Sequence, residues 1–198
     1  MGTLNLAERF MESGGERFVF VSSAHVYRSA EGLIDEGYPL EPASEYAEQK
    51  LLAEYGLKEM FSHEIERLCV VRIFSILDWC VNPSTLGGTL KRVIEQNQGV
   101  FIRNSDDVRD FLTPNNAANI LSKIAMHSVS GVVNLCSGVE RTVAQAADEI
   151  SKKSGYVLPR EVFKPGNSQV PRIVGNPRKL LMEVPGTKLE WEPSLLVS

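Results

Sequence analysis

Three side chains stand where together they could move a proton: Ser23, Tyr46 and Lys50. Tyr46 and Lys50 lie four apart in Ser44-Glu-Tyr-Ala-Glu-Gln-Lys50, a stretch of helical character, so they share one face a turn apart. A phenol ordinarily ionises near pH 10, too high for a base at neutral pH. An ammonium close by favours the phenolate, and a tyrosine so placed can take a proton from a ligand hydroxyl or return one. A serine hydroxyl nearby can hydrogen-bond the same oxygen and steady its developing charge. Spacing alone carries little specificity, because a solvated tyrosine near a lysine is commonplace. Ser23 strengthens it by ending an apolar run, and in open α/β sheets ligands bind at the carboxyl ends of strands.

The elements that must position these groups follow from hydrophobic patterning. Leu4 to Met11 has helical spacing and is closed by Gly14-Gly15. Arg17-Phe-Val-Phe-Val-Ser-Ser23 is an unbroken apolar run, which suits a parallel strand covered on both faces. A loop from Ser29 to Ser44 precedes a predicted helix from Glu45 to Phe61, with Ser44 as N-cap. Cys69 to Phe74 is a second strand, and strand–helix–strand in that order points to a parallel sheet. Further on, helices are expected at Leu86 to Gln96, Asn115 to His127 and Thr142 to Ser154, the last with a clear apolar side. Extended pieces are expected at Gly99 to Ile102 and Phe111-Leu112, around an acidic turn, and a strand at Gly131 to Cys136. The last forty residues read as loops with short elements.

Composition excludes several classes. The 198 residues are 43% hydrophobic and 23% charged, an ordinary globular profile. A net charge of -4 argues against a general nucleic-acid binder. No apolar run reaches the roughly 20 residues of a membrane span, and the N-terminus does not resemble a signal peptide. Cys69, Cys80 and Cys136 are irregularly spaced, which favours reduced thiols and a cytoplasmic setting over disulfides or a metal cluster. The three histidines are scattered, so no metal site is expected.

Four pieces in order carry a resemblance: Val21-Ser-Ser-Ala-His-Val-Tyr27, Asp35-Glu36, Pro39-Leu-Glu-Pro42 and Ser44 to Lys50. Together they closely resemble the extended short-chain dehydrogenase/reductases, the NAD-dependent epimerase/dehydratase enzymes acting on nucleotide sugars. The resemblance implies that Ser23 is the catalytic Ser/Thr, Tyr46 the base and Lys50 its partner, which also holds the nicotinamide ribose. It implies NAD or NADP as cofactor, with Ile73 and Phe74 beside it, and a nucleotide-sugar substrate met by Ser23, Ser75, Thr85, Arg109 and Lys164. Val108-Arg-Asp-Phe-Leu112 is similar to the family's Arg-Asp-aromatic motif, whose arginine binds the nucleotide diphosphate. A guanidinium fork suits that group, and the plain alternative for Arg109 is a salt bridge to Asp106, Asp107 or Asp110. Lys164-Pro-Gly-Asn167 resembles a loop that usually carries arginine at the position of Lys164.

The implied fold is an α/β, incomplete doubly wound Rossmann-like parallel sheet with a smaller C-terminal substrate-binding part. Residues 1–80 would be the C-terminal portion of the Rossmann-like domain with the Ser/YxxxK site. Residues 81–198 would be mostly the substrate-binding part, with some elements returning to the sheet. The departures from the family matter as much. No G-x-x-G-x-x-G or G-x-G-x-x-G follows a strand, so the cofactor-holding half is expected to be missing, on the order of 80 to 100 residues at roughly 30 per βαβ unit. Without it, Phe18 to Val21 would present an apolar strand edge, to be covered in a homo-oligomer or by a chain completing the sheet. Ser75 replaces the usual Asn, Leu77-Asp-Trp-Cys80 the usual Pro-Gly, and Arg28 a glycine, while Glu45 and Gln49 replace the commoner Pro and Ser around Tyr46. Leu189-Glu-Trp-Glu-Pro193 resembles the late Gly-Trp-x-Pro turn, with no closing helix after it. Ala24-His25 follows Ser23 where dehydratases add an acid pair, which favours an epimerase or 4-keto reductase. His25 itself reads as a loop-packing histidine, with an extra acid as the alternative. A non-catalytic module or a split-enzyme subunit is the competing reading for the whole chain.

Overall fold

The computed structural model describes residues 2–77, 85–96, 100–153, 155–166 and 171–191. Among sequence features singled out above, positions 78–80 with Cys80, Gly99, Ser154, Asn167 and positions 192–193 lie outside the described residues.

The chain order is α1 (Gly2–Glu12), β1 (Phe18–Ser23), α2 (Glu45–Met60), β2 (Leu68–Ile73), β3 (Ser75–Ile76), α3 (Leu86–Gln96), β4 (Ile102–Arg103) and β5 (Val108–Leu112). It continues with α4 (Pro114–Met126), β6 (Gly131–Leu135), β7 (Glu140–Thr142), α5 (Val143–Lys153), β8 (Phe163–Lys164), β9 (Arg172–Ile173) and α6 (Arg178–Glu183). Strands β1, β2 and β6 form a parallel sheet in that order, with Ser22 opposite Arg72 and Arg72 opposite Asn134.

Alternation along these strands explains why their sequences are apolar up to their carboxyl ends, where Ser22, Arg72 and Asn134 stand in one row. Phe18, Phe20, Leu68 and Val70 pack with Ala7, Leu57 and Phe61 beneath α1 and α2. Cys69, Val71, Val133 and Leu135 pack on the other face with Ile120 and Ile124 of α4 and Leu180 of α6. With both faces covered, these side chains are apolar, and a polar residue in the sheet needs a buried partner. Burial raises the Cys69 thiol to about 11 and Cys136 well above its ordinary value, so both are inert packing residues.

A second body forms around β5, which pairs with β3 and β9 in parallel and with β7 antiparallel. Its core joins Leu90 and Val93 of α3, Phe111 of β5 and Ala146, Ala147 and Ile150 of α5. The loop after β1 ties the two bodies together. Ile34 donates its N–H to the Val174 carbonyl and accepts from the Asn176 N–H, both at 2.8 Å. Ile34, Tyr27 and Ala30 pack with Phe74, Cys136 and Ile173, roofing the carboxyl ends of the strands.

Candidate active site

Ser23 is the last residue of β1 and caps a short turn over Ala24–Val26, its Oγ accepting the His25 N–H at 3.2 Å. It is nearly buried, at 4% exposure, yet borders the cleft described below. Tyr46 sits in the first turn of α2, whose start is fixed by Ser44: the Ser44 Oγ accepts the Ala47 N–H at 3.3 Å. The Tyr46 ring is 53% exposed. Lys50 follows one turn later and donates from Nζ to the Val21 carbonyl of β1 at 2.9 Å. Its ammonium lies 5.8 Å from the Tyr46 ring centroid and 5.1 Å from that of Phe20.

An open cleft of about 950 Å³ lies between the two bodies. Ser23, His25, Tyr46, Ile73, Phe74 and Ser75 line one side, with Thr85, Phe101, Arg103, Asp107 and Arg109 across from them. Seven of the nine residues expected at the site therefore meet in one cavity: Ser23, Tyr46, Ile73, Phe74, Ser75, Thr85 and Arg109. Lys50 lines an adjoining groove with Phe20, Gln49 and Thr3 of α1, and Tyr46 borders both concavities. Tyr46 is thus shared between the cleft of Ser23 and the groove of Lys50. Lys164 is the outlier: its Nζ stacks 4.7 Å from the ring of Phe101, at the margin of the cleft.

Arg109 takes the plain alternative, a salt bridge to Asp107. Its Nη2 pairs with Asp107 Oδ2 at 2.6 Å and its Nη1 donates to the Pro171 carbonyl at 2.9 Å. Burial lowers the Arg109 pKa, with Asp107 opposing, and burial raises that of Asp107, with Arg109 opposing. A cation already desolvated at the wall of a cleft is well prepared for an anionic ligand. His25 differs from its expected place: it lines the cleft and is exposed there, so it does not pack the loop. Partial burial, then Arg109, lowers its pKa from 6.5. Phe101 and Arg103 were not foreseen, since an aromatic and a cation around a two-residue strand carry no pattern of their own.

The NAD dependent epimerase/dehydratase family model matches residues 1–136, and the chain belongs to that family. A Methanocaldococcus jannaschii protein named as a putative UDP-glucose 4-epimerase is 22% identical over 201 residues, covering 98% of this chain and 64% of that protein. DesIV, a dTDP-glucose 4,6-dehydratase from Streptomyces venezuelae solved with NAD and TYD bound, matches with a TM-score of 0.81 at 18% identity. That match covers 96% of this chain and 60% of DesIV. RMD from Pseudomonas aeruginosa, complexed with NADPH, matches with a TM-score of 0.79 at 24% identity over 96% of this chain and 67% of RMD. The chain thus spans between 60% and 67% of the length of these three relatives. The fold that the two solved structures share with it is the Rossmann-like α/β fold, present here as a partial parallel sheet.

Proposed function

We propose that this chain carries the acid/base and sugar-binding half of an NAD(P)-dependent nucleotide-sugar epimerase or 4-keto reductase. The observation that carries the reading is the shared border of Ser23, Tyr46 and Arg109 on one cleft, with Lys50 in the adjoining groove that Tyr46 also borders. A sugar hydroxyl between Ser23 and Tyr46 would give its proton to the phenolate, while the Ser23 hydroxyl donates to the same oxygen as charge develops. The Lys50 ammonium stands 5.8 Å from the Tyr46 ring centroid, and the Val21 carbonyl keeps it at that station. Arg109 would turn its fork from Asp107 to a nucleotide diphosphate. Ser75 and Thr85 would face the sugar, and Lys164 would meet phosphate only as a point charge at the margin.

Relatives of this fold are NAD or NADPH complexes, and one of them holds UDP beside NAD. The residues present fit the nicotinamide-ribose end of such a cofactor. An ammonium has three donors, and Lys50 uses one on Val21, which leaves donors for ribose hydroxyls beside Tyr46, Ile73 and Phe74. When bound, the nicotinamide would accept and return the hydride. Ala24-His25 in place of an acid pair favours epimerase or reductase over dehydratase chemistry. The outer edge of β1 pairs with no described strand, which supports a covering chain, either a second copy or one completing the sheet. Calorimetric titration with UDP, dTDP and UMP tests the substrate class. A diphosphate should bind at least about tenfold more weakly to Arg109→Ala than to the wild type. Failure of the wild type to bind any nucleoside diphosphate overturns the reading.

A further inference from the structure

The least expected feature of α2 is a charge on its buried side. Glu54 is 0% exposed and Arg72, its partner on β2, is 2% exposed. Glu54 Oε1 accepts from Ser22 Oγ at 2.5 Å and from Arg72 Nε at 3.0 Å, and Oε2 accepts from Arg72 Nη2 at 2.6 Å. Lys58 Nζ adds a longer contact at 3.9 Å. The guanidinium also donates to the Glu36 carbonyl at 3.3 Å and stacks 4.8 Å from the ring of Tyr27. Tyr27 in turn donates to Asn134 Oδ1 at 2.7 Å, and the Asn134 N–H reaches Glu36 Oε1 at 2.8 Å. Ser22, Arg72 and Asn134 are register partners across all three strands, one row before Ser23.

Glu54 follows Lys50 by four residues as Lys50 follows Tyr46, so the three form one stripe along α2. It begins at the exposed Tyr46, passes the half-buried Lys50 and ends at the buried carboxylate. The other inward residues, Ala47, Leu51 and Leu57, make apolar contacts, which are non-directional and allow a helix to roll. A carboxylate held by two elements in fork geometry does not allow it. We infer that Glu54 is a positioning residue: fastened to Ser22 and Arg72, it fixes the rotation of α2 and thereby the places of Tyr46 and Lys50 against Ser23. A roll of about 10° moves a side-chain tip roughly 6 Å from the helix axis by about 1 Å. A displacement of that size at reacting groups can cost about 100-fold in rate. Stability alone does not call for an ion pair here, since apolar replacement of a buried pair is often neutral or stabilising.

The consequence for turnover rests on the function proposed above; the consequence for Tyr46 does not. The test uses the full chain labelled with 3-fluorotyrosine, with the Tyr46 fluorine signal assigned by Tyr46→Phe and the distant Tyr156 as control. Two variants are compared with the wild type, Glu54→Gln and the apolar pair Glu54→Leu/Arg72→Met. The pair should unfold near the wild-type temperature while the Tyr46 signal shifts and broadens and that of Tyr156 stays. Its kcat for a nucleotide sugar should fall at least tenfold, with KM changed less than threefold. Wild-type Tyr46 signal and kcat in the pair would overturn the inference and leave Glu54 a packing residue. If the pair does not fold, an unshifted Tyr46 signal in Glu54→Gln overturns it equally, and a shifted one supports it. Absence of turnover in the wild type defeats the proposed function alone, because the fluorine signals still decide the role of Glu54.

Discussion

Replacing Asp110 by alanine should be among the most damaging single changes in the second body. Asp110 lies on β5 beside Arg109 and is 0% exposed. Its Oδ1 accepts from the Ser137 N–H and from Ser137 Oγ, both at 2.7 Å. Its Oδ2 accepts from the Gly138 N–H at 2.8 Å and, more weakly, from the Gly175 N–H at 3.3 Å. One carboxylate thus welds β5, the turn after β6 and the segment after β9. Asp110→Ala strands two firm backbone donors, each costing about 1–3 kcal/mol, while the Gly175 bond and the rotatable hydroxyl add less. The sum is about 3–5 kcal/mol, within the range of broken buried networks. At about 2–4 °C per kcal/mol for a chain of this size, the unfolding temperature should drop by roughly 6–20 °C. Urea unfolding followed by circular dichroism gives the free energy directly, provided the m-value is unchanged. Because Arg109 shares the strand, UDP binding should weaken in the surviving folded fraction. A loss below about 1 kcal/mol would show that other partners take over those donors, and the reasoning from unmet backbone groups would fail.

Three further outcomes are expected. Ser44→Ala removes the cap of α2 and should cost about 1 kcal/mol, with Ser44→Asp restoring it; equal stability of all three in urea would contradict the capping role. Burial pushes Tyr27 up to about 12, with Arg72 opposing, so the folded state holds the proton after the unfolded chain has lost it near pH 10. Its contribution is complete below pH 10 and should fall by about 2–3 kcal/mol as pH rises from 10 to 12. Tyr27→Phe should flatten that part of the stability–pH curve, and an equally steep curve would refute the assignment. His25 should titrate below 6.5 by proton NMR and move upward in Arg109→Ala, since burial and Arg109 both disfavour its charged form. An unmoved titration would mean that Arg109 does not act on it.

What the sequence disclosed depended on how local each cause was. The apolar runs of β1 and β2 and the helical spacing of α3 and α5 are local patterns, and they form within a residue or two of their expected ends. Ser44 was legible as a cap because its partner is three residues away. The Ser23, Tyr46 and Lys50 pattern was legible because a strand end and a helix start meet in any βαβ unit. β5 was seen only as Phe111-Leu112, because Arg109 and Asp110 look like part of an acidic turn. Asp110 belongs in a strand only once Ser137, Gly138 and Gly175 supply donors from distant segments. Glu54 reads as a solvated charge for the same reason, its partners being on β1 and β2. The sequence left three acidic partners open for Arg109, and tertiary geometry selects Asp107. His25 was misplaced because a single histidine in a loop has no period to say which way it faces.

The proposed role of Tyr46 is to move a sugar proton in a cleft bounded by Ser23 and Arg109. The most direct measurement follows UDP-glucose and dTDP-glucose by proton NMR with NAD and the protein joined to a glycine-rich cofactor-binding half, wild type against Tyr46→Phe. The wild type should change the configuration or oxidation state of the sugar, and Tyr46→Phe should slow that change at least about 100-fold while UDP binding is retained. Undiminished conversion by Tyr46→Phe would contradict it.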